Sequence, residues 1–368
     1  MRFNHGIIDA HVHGHGGPGV DQFLRNAHDH YMASGLDMEC ILSVRHGRSG
    51  CITDAEALLM KAEMPDWFRI YCNPAWRIEG FDGSPEGVRE QIRLLTEAGS
   101  DGVKLGDGES GFDVTRDDPM YDPLFTYCEE NNVPVLYHVG GAVTIPARRV
   151  IQKSHEFVEG PPWLRYTEGV DDDKPAKDNV PLKVMENKWD EVDRMLQKHP
   201  RLKVTFAHFL FLYEHFDRLS ALFDKYPCMK VDLTPCFDIY YSLSKHPEKA
   251  REFICDYKDR FIFGTDNEME QDPIPHLIYQ RAFLETDEPF FSIKWGVDLH
   301  GIKLPEDVLK LIYKNNYLER VDMGRKVDPV KAAEYADWLY DTVRDFPELP
   351  ETHKAQVGEV AARFRAMR

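Results

Sequence analysis

The sequence predicts an α/β protein, a (β/α)8 TIM barrel with a long loop after the fifth strand and a helical extension at the C-terminus. Short, almost continuously apolar runs recur along the chain, as expected for parallel strands that are buried on both faces. Helix-like stretches separate these runs at the spacing of a βα unit, roughly 30 residues or more. Eight such units favour a closed barrel, and a doubly wound open sheet is the alternative.

The eight predicted strands are each followed by small or polar residues. They span Gly6–His13, Met38–His46, Trp67–Trp76, Gly102–Gly106, Pro134–Gly140, Leu202–Phe209, Cys228–Thr234 and Arg260–Asp266. Amphipathic patterns between them predict helices over Pro85–Ala98, Pro119–Asn131, Trp189–His199 and Tyr213–Tyr226. The first strand is not followed by a GxGxxG turn, which weakens the dinucleotide-binding form of the open-sheet alternative.

Two regions lie outside the repeat. Residues 141–188 form a long segment after the fifth strand, which is typical of a lid or binding loop, with a plain surface insertion as the alternative. The C-terminal part predicts two helices, Pro329–Phe346 and Thr352–Met367, because two prolines interrupt an otherwise helical pattern. We therefore predict a barrel domain over residues 1–327 and a helical extension over residues 328–368.

Composition narrows the function classes. The chain has 368 residues, of which 63 are acidic and 45 basic, and its formal net charge is −18. This charge argues against nucleic acid and against an anionic membrane surface as partners. We expect no transmembrane helix, since no apolar run reaches about 18 residues. Seven Cys without a CxxC pair and an N-terminus unlike a secretion signal predict a cytoplasmic protein whose metal site would use His and carboxylate ligands.

The strongest local signal lies in the first strand, which carries Asp9, His11 and His13 at alternate positions. Alternate residues of a strand project to the same side, so we expect the three side chains to share the barrel interior. Two imidazoles and a carboxylate are costly there unless they share a metal or hydrogen bonds. A chance cluster of surface histidines is the alternative.

Three further strands end in residues of the same chemistry: His138, His208 and Asp266. Active sites of barrels form at the C-terminal ends of the strands, so these groups should converge with His11 and His13. Nitrogen and oxygen ligands suit Zn²⁺, Mn²⁺ or Fe²⁺ with an open position for water. A divalent metal lowers the pKa of such a water toward about 7, and a nearby carboxylate or imidazole can accept its proton.

The order of these motifs resembles the amidohydrolase superfamily. It is most similar to amidohydrolase family 2, the branch that includes the aminocarboxymuconate semialdehyde decarboxylase-like proteins. The motifs that carry the resemblance are the HxH of His11 and His13, followed by Asp101–Leu105, Pro134–His138, Phe206–His208, Phe263–Asp266 and Leu304–Asn316. They are specific to the superfamily and not to a substrate.

The resemblance implies that His11, His13, His138 and Asp266 bind one divalent metal ion, with Zn as the first expectation and Mn or Fe as alternatives. It implies that His208 is a general acid/base or a substrate-polarising group. Asp266 would also take a proton from the bound water, as the eighth-strand Asp does in superfamily members.

Lys104, on the fourth strand, has two interpretations. In binuclear members of the superfamily a Lys at this place is carbamylated and bridges two metals, which would make Lys104 a second-metal ligand. The alternative is an interior Lys paired with a neighbouring carboxylate such as Asp107 or Glu109.

Three residues near strand ends are candidates for substrate binding: Arg45, Arg77 and His15. Arg recognises carboxylates in a bidentate manner, so Arg45 and Arg77 suit a carboxylate-bearing substrate. Structural salt bridges to the abundant acidic residues are the alternative.

The leading functional hypothesis is hydrolysis of a small polar, carboxylate-bearing molecule by a metal-activated water. Non-oxidative decarboxylation of an aromatic or dienoic acid at the same metal is the alternative reaction. A barrel that binds metal without catalysis is the alternative from another class. The expected partner is a small-molecule substrate, and a homo-oligomer is compatible with the sequence.

Overall fold

The computed structural model describes most of the repeat and the C-terminal helices. The described residues are 6–14, 19–43, 53–76, 81–106, 115–139, 180–235, 237–292, 297–321, 324–346 and 349–367. Among them, no helix combines the length and the apolar character needed to cross a bilayer.

The central sheet runs in chain order, and all its neighbouring strands are parallel. Its strands are β1 (Ile8–Gly14), β2 (Met38–Ser43), β3 (Phe68–Cys72), β4 (Gly102–Gly106), β5 (Val135–His138), β6 (Val204–Phe206), β7 (Lys230–Asp232), β8 (Phe261–Ile262) and β9 (Asn267–Glu268). An open doubly wound sheet reverses its strand order at a switch point. The order seen here has no reversal, which confirms the predicted TIM barrel.

The barrel closes across a broken eighth strand. The sequence predicts one unbroken strand here, whereas the structure has two pieces: β8 pairs with β7, and β9 pairs with β1. Between the pieces, the Ala10 N–H donates to the Phe263 carbonyl at 3.1 Å and the Asp266 N–H donates to the His11 carbonyl at 2.9 Å. Asp266 has a φ of 56°, in the left-handed region, so the chain turns at this residue and cannot continue as a strand.

Helices cover the outside of the sheet. They are α1 (Val20–Ser34), α2 (Thr53–Glu63), α3 (Pro85–Ala98), α4 (Asp122–Glu130), α5 (Val180–Lys198), α6 (Phe216–Lys225), α7 (Phe237–Lys245), α8 (Pro247–Asp256), α9 (Ile274–Glu285), α10 (Glu306–Lys310), α11 (Asn316–Val321), α12 (Pro329–Val343) and α13 (Glu351–Ala366). An antiparallel hairpin of β10 (Pro289–Ser292) and β11 (Val297–His300) follows α9, and a π-helical turn joins α10 to α11.

The predicted helices are present with shifted ends. The clearest case is α5, which begins at Val180, so the predicted loop over 141–188 ends earlier than the sequence pattern indicates. Proline is tolerated in the first turn of a helix, and Pro181 occupies that turn while good helix formers follow it. The rest of that segment, residues 141–179, lies outside the described residues.

Sequence signals for the helix ends are clear in α3. The Ser84 hydroxyl accepts a hydrogen bond from the Gly87 N–H, Pro85 occupies the first turn, and Gly99 ends the helix with a φ of 124°. An N-cap of this kind stabilises a helix by about 1 kcal/mol. The apolar face that carries Val88 is fully buried.

The C-terminal helices α12 and α13 pack against each other and against α2 and α3. The predicted apolar face of α12 is completely covered there, with Tyr335 only 1% exposed and Leu339 0% exposed. The Asp328 side chain caps α12 by accepting the N–H groups of Val330 and Lys331. This packing uses the barrel's own helices; the division into a domain over 1–327 and an extension stays a prediction.

A buried carboxyl group lies where α2 meets the C-terminal helices. Glu56 is 1% exposed, and neither of its carboxyl oxygens has a hydrogen-bond partner within the described part of the chain. Burial, together with the charge of Glu359 on α13, raises the pKa of Glu56 from 4.5 to about 8. Between these two pH values the folded protein keeps a proton that the unfolded chain has lost, so the free energy of unfolding falls as the pH rises.

We predict that Glu56→Gln removes this pH dependence. The difference in unfolding free energy between the variant and the wild type should grow by up to about 1.4 kcal/mol per pH unit across that window and then stay constant. Urea unfolding at several pH values measures it. Glu63→Gln, which changes an exposed Glu of the same helix, is the control and should show no such trend. If the free energies of unfolding of Glu56→Gln and the wild type changed with pH in the same way, the prediction would be contradicted.

Candidate metal centre

Three side chains converge at the C-terminal end of the barrel. Nε2 of His11 lies 3.1 Å and Nε2 of His13 lies 2.9 Å from Oδ1 of Asp266. One potential ligand atom from each residue lies within 4.8 Å of the others. His11 is buried and the Asp266 carboxylate is 28% exposed, so the cluster opens toward solvent on the side of the carboxylate.

A bulge in β1 decides which residues face this cluster. The pairing of β1 with β2 shifts register between Asp9 and Val12. Ile8 lies in the barrel interior, whereas Val12 packs in the outer core. A bulge inserts one residue and reverses the alternation beyond it. His11 and His13 therefore face the interior, and the expectation that Asp9 shares their side is wrong.

Asp9 instead fixes the join between β1 and the broken eighth strand. Its Oδ1 accepts the N–H groups of His11 and Thr265, each at 3.0 Å, and its Oδ2 accepts the Thr265 hydroxyl at 2.6 Å. Thr265 immediately precedes Asp266. The bonds to Asp9 therefore hold the backbone of His11 and the backbone next to Asp266 in place.

Asp232, the last residue of β7, connects the imidazole of His11 to the backbone of His208. Its Oδ2 lies 2.8 Å from Nδ1 of His11, and its Oδ1 accepts the His208 N–H at 2.8 Å. The Thr234 hydroxyl also lies 2.5 Å from Oδ1 of Asp232. Asp232 is ionised because His11, His208 and Thr234 lower its pKa although burial opposes this. A carboxylate only accepts hydrogen bonds, so His11 donates from Nδ1, and in its neutral form the lone pair lies on Nε2.

The hydrogen bonds of Thr234 determine which ring nitrogen of His208 carries the proton. Nδ1 of His208 lies 2.9 Å from the Thr234 hydroxyl oxygen, whose single proton is directed to Asp232. Nδ1 therefore donates to Thr234, and neutral His208 has its lone pair on Nε2. This nitrogen lies 3.8 Å from Oδ2 of Asp266, across the site from His11.

The backbone at His208 departs from the prediction. The sequence predicts a strand over 202–209, but β6 ends at Phe206 and His208–Phe211 forms a turn in which all four φ angles lie between 52° and 59°. A left-handed conformation costs a residue other than Gly about 1–2 kcal/mol. The bond from the His208 N–H to Asp232 helps to hold this turn, which directs the imidazole at Asp266.

His138 and Lys104 lie beside the three-residue cluster. The His138 ring packs edge-on against His208, with ring centroids 4.8 Å apart. Lys104 is 2% exposed, and its positive charge disfavours protonation of His11, His13, His138 and His208. The roles of His138 as a ligand and of Lys104 as a carbamylated or second-metal ligand stay predictions, and Asp107 and Glu109 lie outside the described residues.

The sequence that forms this site matches a known protein family. A family model described as amidohydrolase matches residues 8–316. The chain belongs to the amidohydrolase family. No curated protein sequence matches it.

Solved structures share the amidohydrolase barrel at low sequence identity. An uncharacterised TIM-barrel protein from Bordetella bronchiseptica is 14% identical, with a TM-score of 0.55 over 86% of this chain and 98% of the other. A 2,6-dihydroxybenzoate decarboxylase, solved with 2,6-dihydroxybenzoate, is also 14% identical, with a TM-score of 0.52 over 86% of this chain and 99% of the other. These likenesses support the fold of this amidohydrolase.

The protonation states of the cluster fit a metal-binding site. Burial lowers the pKa of His13 to about 4, so its imidazole is neutral near pH 7, as a metal ligand must be. Burial and the neighbouring His208 lower the pKa of His138 well below its ordinary value. The charges of His208 and His11 hold the pKa of Asp266 well below its ordinary range although burial opposes this.

His11 provides the most direct test of fit. Burial and Lys104 disfavour its protonation, but Asp232 and Asp266 outweigh them and raise its pKa. Its Nε2 is buried and makes no well-aligned hydrogen bond within the described residues. The second ring nitrogen of a metal-bound His normally donates to a carboxylate or carbonyl, as His11 does to Asp232. The donor set therefore fits a divalent cation.

Three residues predicted to bind substrate lie outside the part of the chain that the structure describes. Arg45, Arg77 and His15, the candidates for substrate binding, lie outside the described residues, so their roles stay predictions. Asp232 and Thr234, in contrast, belong to the site but were not predicted from the sequence. The signal was available, because both are polar, lie two residues apart and end a predicted buried strand.

We predict that Asp232→Asn weakens metal binding about 10–100-fold, because it removes the carboxylate that orients His11. Competition with a chromophoric chelator measures the affinity. Asp118→Asn is a matched control, since Asp118 also accepts a backbone N–H, at the start of a short helix outside the cluster. Equal metal affinity in the wild type and in Asp232→Asn would contradict the proposed orientation.

Proposed function

We propose that this amidohydrolase is a metal-dependent hydrolase of a small, carboxylate-bearing molecule. The observation that carries the proposal is the convergence of His11, His13 and Asp266 at the C-terminal end of the barrel, with Nε2 of His208 facing them. In a barrel, this end is where active sites are built.

Each residue has a definite part in the proposal. His11, His13, His138 and Asp266 would hold a divalent cation, with Zn as the first choice and Mn or Fe as alternatives. Such a cation supplies a water of lowered pKa and polarises a substrate carbonyl. His208 accepts a proton at Nε2 and passes it to the leaving group, and Thr234 keeps its ring in the productive tautomer.

The charge of the site favours an anionic substrate. An unmodified Lys104 brings a positive charge into the buried site, where the carboxylates of Asp232 and Asp266 are the negative groups of the described cluster. With a divalent cation bound, positive charge exceeds negative charge. A carboxylate substituent would be attracted to this interior, where charges interact more strongly than in water.

The second candidate reaction is non-oxidative decarboxylation of an aromatic acid. The buried positive charge of Lys104 favours it, because it would hold the carboxylate beside the imidazoles. His208 would first take a proton from solvent at Nε2 and then deliver it to the ring carbon that loses carbon dioxide. The fold is shared with a decarboxylase of 2,6-dihydroxybenzoate, and this makes that compound a suitable first probe.

We predict that a chelator abolishes turnover and that one equivalent of a divalent metal per chain restores it. His13→Ala should lose both the metal and the activity while it remains folded by circular dichroism. Metal content is measured by elemental analysis, and esters, lactones, amides and aryl acids are assayed for hydrolysis and for release of carbon dioxide. Full activity in the metal-free protein would refute the proposal, and release of carbon dioxide alone would select the second reaction.

We predict that His208→Gln lowers kcat about 10²–10⁴-fold, the usual contribution of a general acid/base, and leaves the metal content unchanged. The pH–rate profile should also lose the limb that reports this imidazole. His215→Gln, an exposed His on the same connection, is the control. An unchanged pH–rate profile in His208→Gln would remove His208 from the mechanism.

A further inference from the structure

The Phe211 ring lies against two imidazoles at the C-terminal end of the barrel. Its centroid is 6.2 Å from that of His138, with the ring planes 24° apart, and 5.5 Å from that of His208, with the planes 44° apart. The proposed reaction gives Phe211 no part, although His208 is its general acid/base.

The backbone at Phe211 is unfavourable for a Phe. Phe211 is the last of the four successive left-handed residues and has a φ of 55°. Gly adopts this conformation without a steric penalty, whereas Phe does not. Phe209 and Leu210 share the conformation, but both are 0% exposed, so their burial in the core offsets the penalty.

Burial offsets less of the penalty at Phe211, because its ring is only half-buried where it packs against the core. Backbone strain that the surrounding structure maintains is concentrated at functional sites. The half-exposed ring beside the imidazoles is therefore a candidate for contact with the substrate.

The residues around Phe211 fix the turn that carries it. The Phe209 ring packs against that of Phe261, with centroids 5.2 Å apart, and the Leu210 carbonyl accepts the Nε1–H of Trp189 at 2.9 Å. The Leu212 N–H donates to the Phe209 carbonyl at 3.1 Å. The Phe211 backbone is thus held in place before any ligand binds, and a surface that is already ordered loses less conformational entropy on binding.

The part-exposed side chains show where a ligand can reach the site. The side chain of His13 is 17% exposed and that of Asp266 is 28% exposed, and His138 and Phe211 are half-buried. Nε2 of His208 lies 3.8 Å from the Asp266 carboxylate. A molecule that lies within reach of both His208 and Asp266 is therefore also next to the Phe211 ring.

We propose that Phe211 is a specificity-determining residue whose ring stacks on a planar, conjugated part of the substrate, an aromatic ring or a diene that carries the carboxylate. This inference rests on the proposed function, because it takes the carboxylate to be bound at the candidate metal centre. It is compatible with both candidate reactions. An aromatic pair in an offset or edge-on arrangement strengthens binding by about 2–10-fold beyond the effect of the area it buries.

The test compares the binding of benzoate and cyclohexanecarboxylate to the zinc-loaded, full-length protein by titration calorimetry. The two acids have the same charge and number of carbon atoms, but only benzoate has a planar, aromatic ring. We expect the wild type to bind benzoate about 2–10-fold more tightly than cyclohexanecarboxylate. Phe211→Leu should lose this preference, and Phe211→Tyr, which keeps an aromatic ring, should retain it.

Two controls separate stacking from a structural role of Phe211. Phe291→Leu changes a Phe of β10 that is 59% exposed, and it should retain the preference for benzoate. Phe211→Leu should bind zinc as tightly as the wild type in competition with a chromophoric chelator. A loss of zinc affinity in Phe211→Leu would mean that the ring acts by positioning His138, and it would overturn the proposal.

The stacking proposal and the proposed function fail in different ways. Failure of both acids to bind, equal affinity of the wild type for the two acids, or a preference that persists in Phe211→Leu would each overturn the stacking proposal and leave metal-dependent turnover intact. An intact preference without metal-dependent turnover would overturn the proposed function instead.

Crystals soaked with 2,6-dihydroxybenzoate give a direct test that needs no variant. The expected result is a ligand ring whose centroid lies about 4.5–7 Å from that of Phe211, the range of favourable aromatic pairs. Binding of this compound with its ring away from Phe211, or no binding at the C-terminal end of the barrel, would overturn the proposal.

Discussion

The candidate site depends on one buried carboxylate, that of Asp232. It accepts hydrogen bonds from His11 Nδ1, from the His208 backbone and from Thr234, so a single group orients one imidazole and positions the other. A hydrogen bond to a charged group contributes about 1.5–3 kcal/mol, and an ionised carboxylate without such donors would be unstable in the barrel interior. Asp232, at the end of β7, therefore holds His11 and His208 in place, and these two residues in turn stabilise its buried charge.

The backbone is irregular at each place where a candidate residue must leave the regular barrel. β1 has a bulge before His11, four left-handed residues begin at His208, and Asp266 is left-handed within the broken eighth strand. Conformations of this kind cost about 1–3 kcal/mol each and persist when the surroundings hold them. Asp9 and Asp232 do so here, because each accepts backbone N–H groups at one of these irregularities. Packing in the rest of the barrel must offset the free-energy cost of these backbone conformations.

The regular part of the molecule could be predicted from sequence, since burial on both faces gives parallel strands a continuous apolar pattern. The alternation rule failed at Asp9, because a one-residue bulge leaves no mark in the hydrophobic pattern and yet reverses the face of every later residue. The predicted strand end at His208 is wrong for a related reason. The residues that follow His208, Phe209–Phe211, are apolar and suit a buried strand as well as a buried turn, whereas the contacts of the His208 N–H with Asp232 and Thr234 exist only in the folded structure. The residue types of the candidate metal centre were predictable because His and Asp at the ends of several buried strands are costly unless they share a metal or hydrogen bonds.

The net charge of −18 and the proposed anionic substrate are compatible because the two charges act over different distances. Surface charges are screened beyond about 8 Å at physiological ionic strength, so the acidic exterior has little effect on binding inside the barrel. Buried charges are screened much less, and Lys104 is buried near the imidazoles. The proposed selectivity for anions is therefore a property of the interior. An acidic surface lowers the rate at which an anionic substrate arrives, whereas Lys104 favours its retention once it has entered.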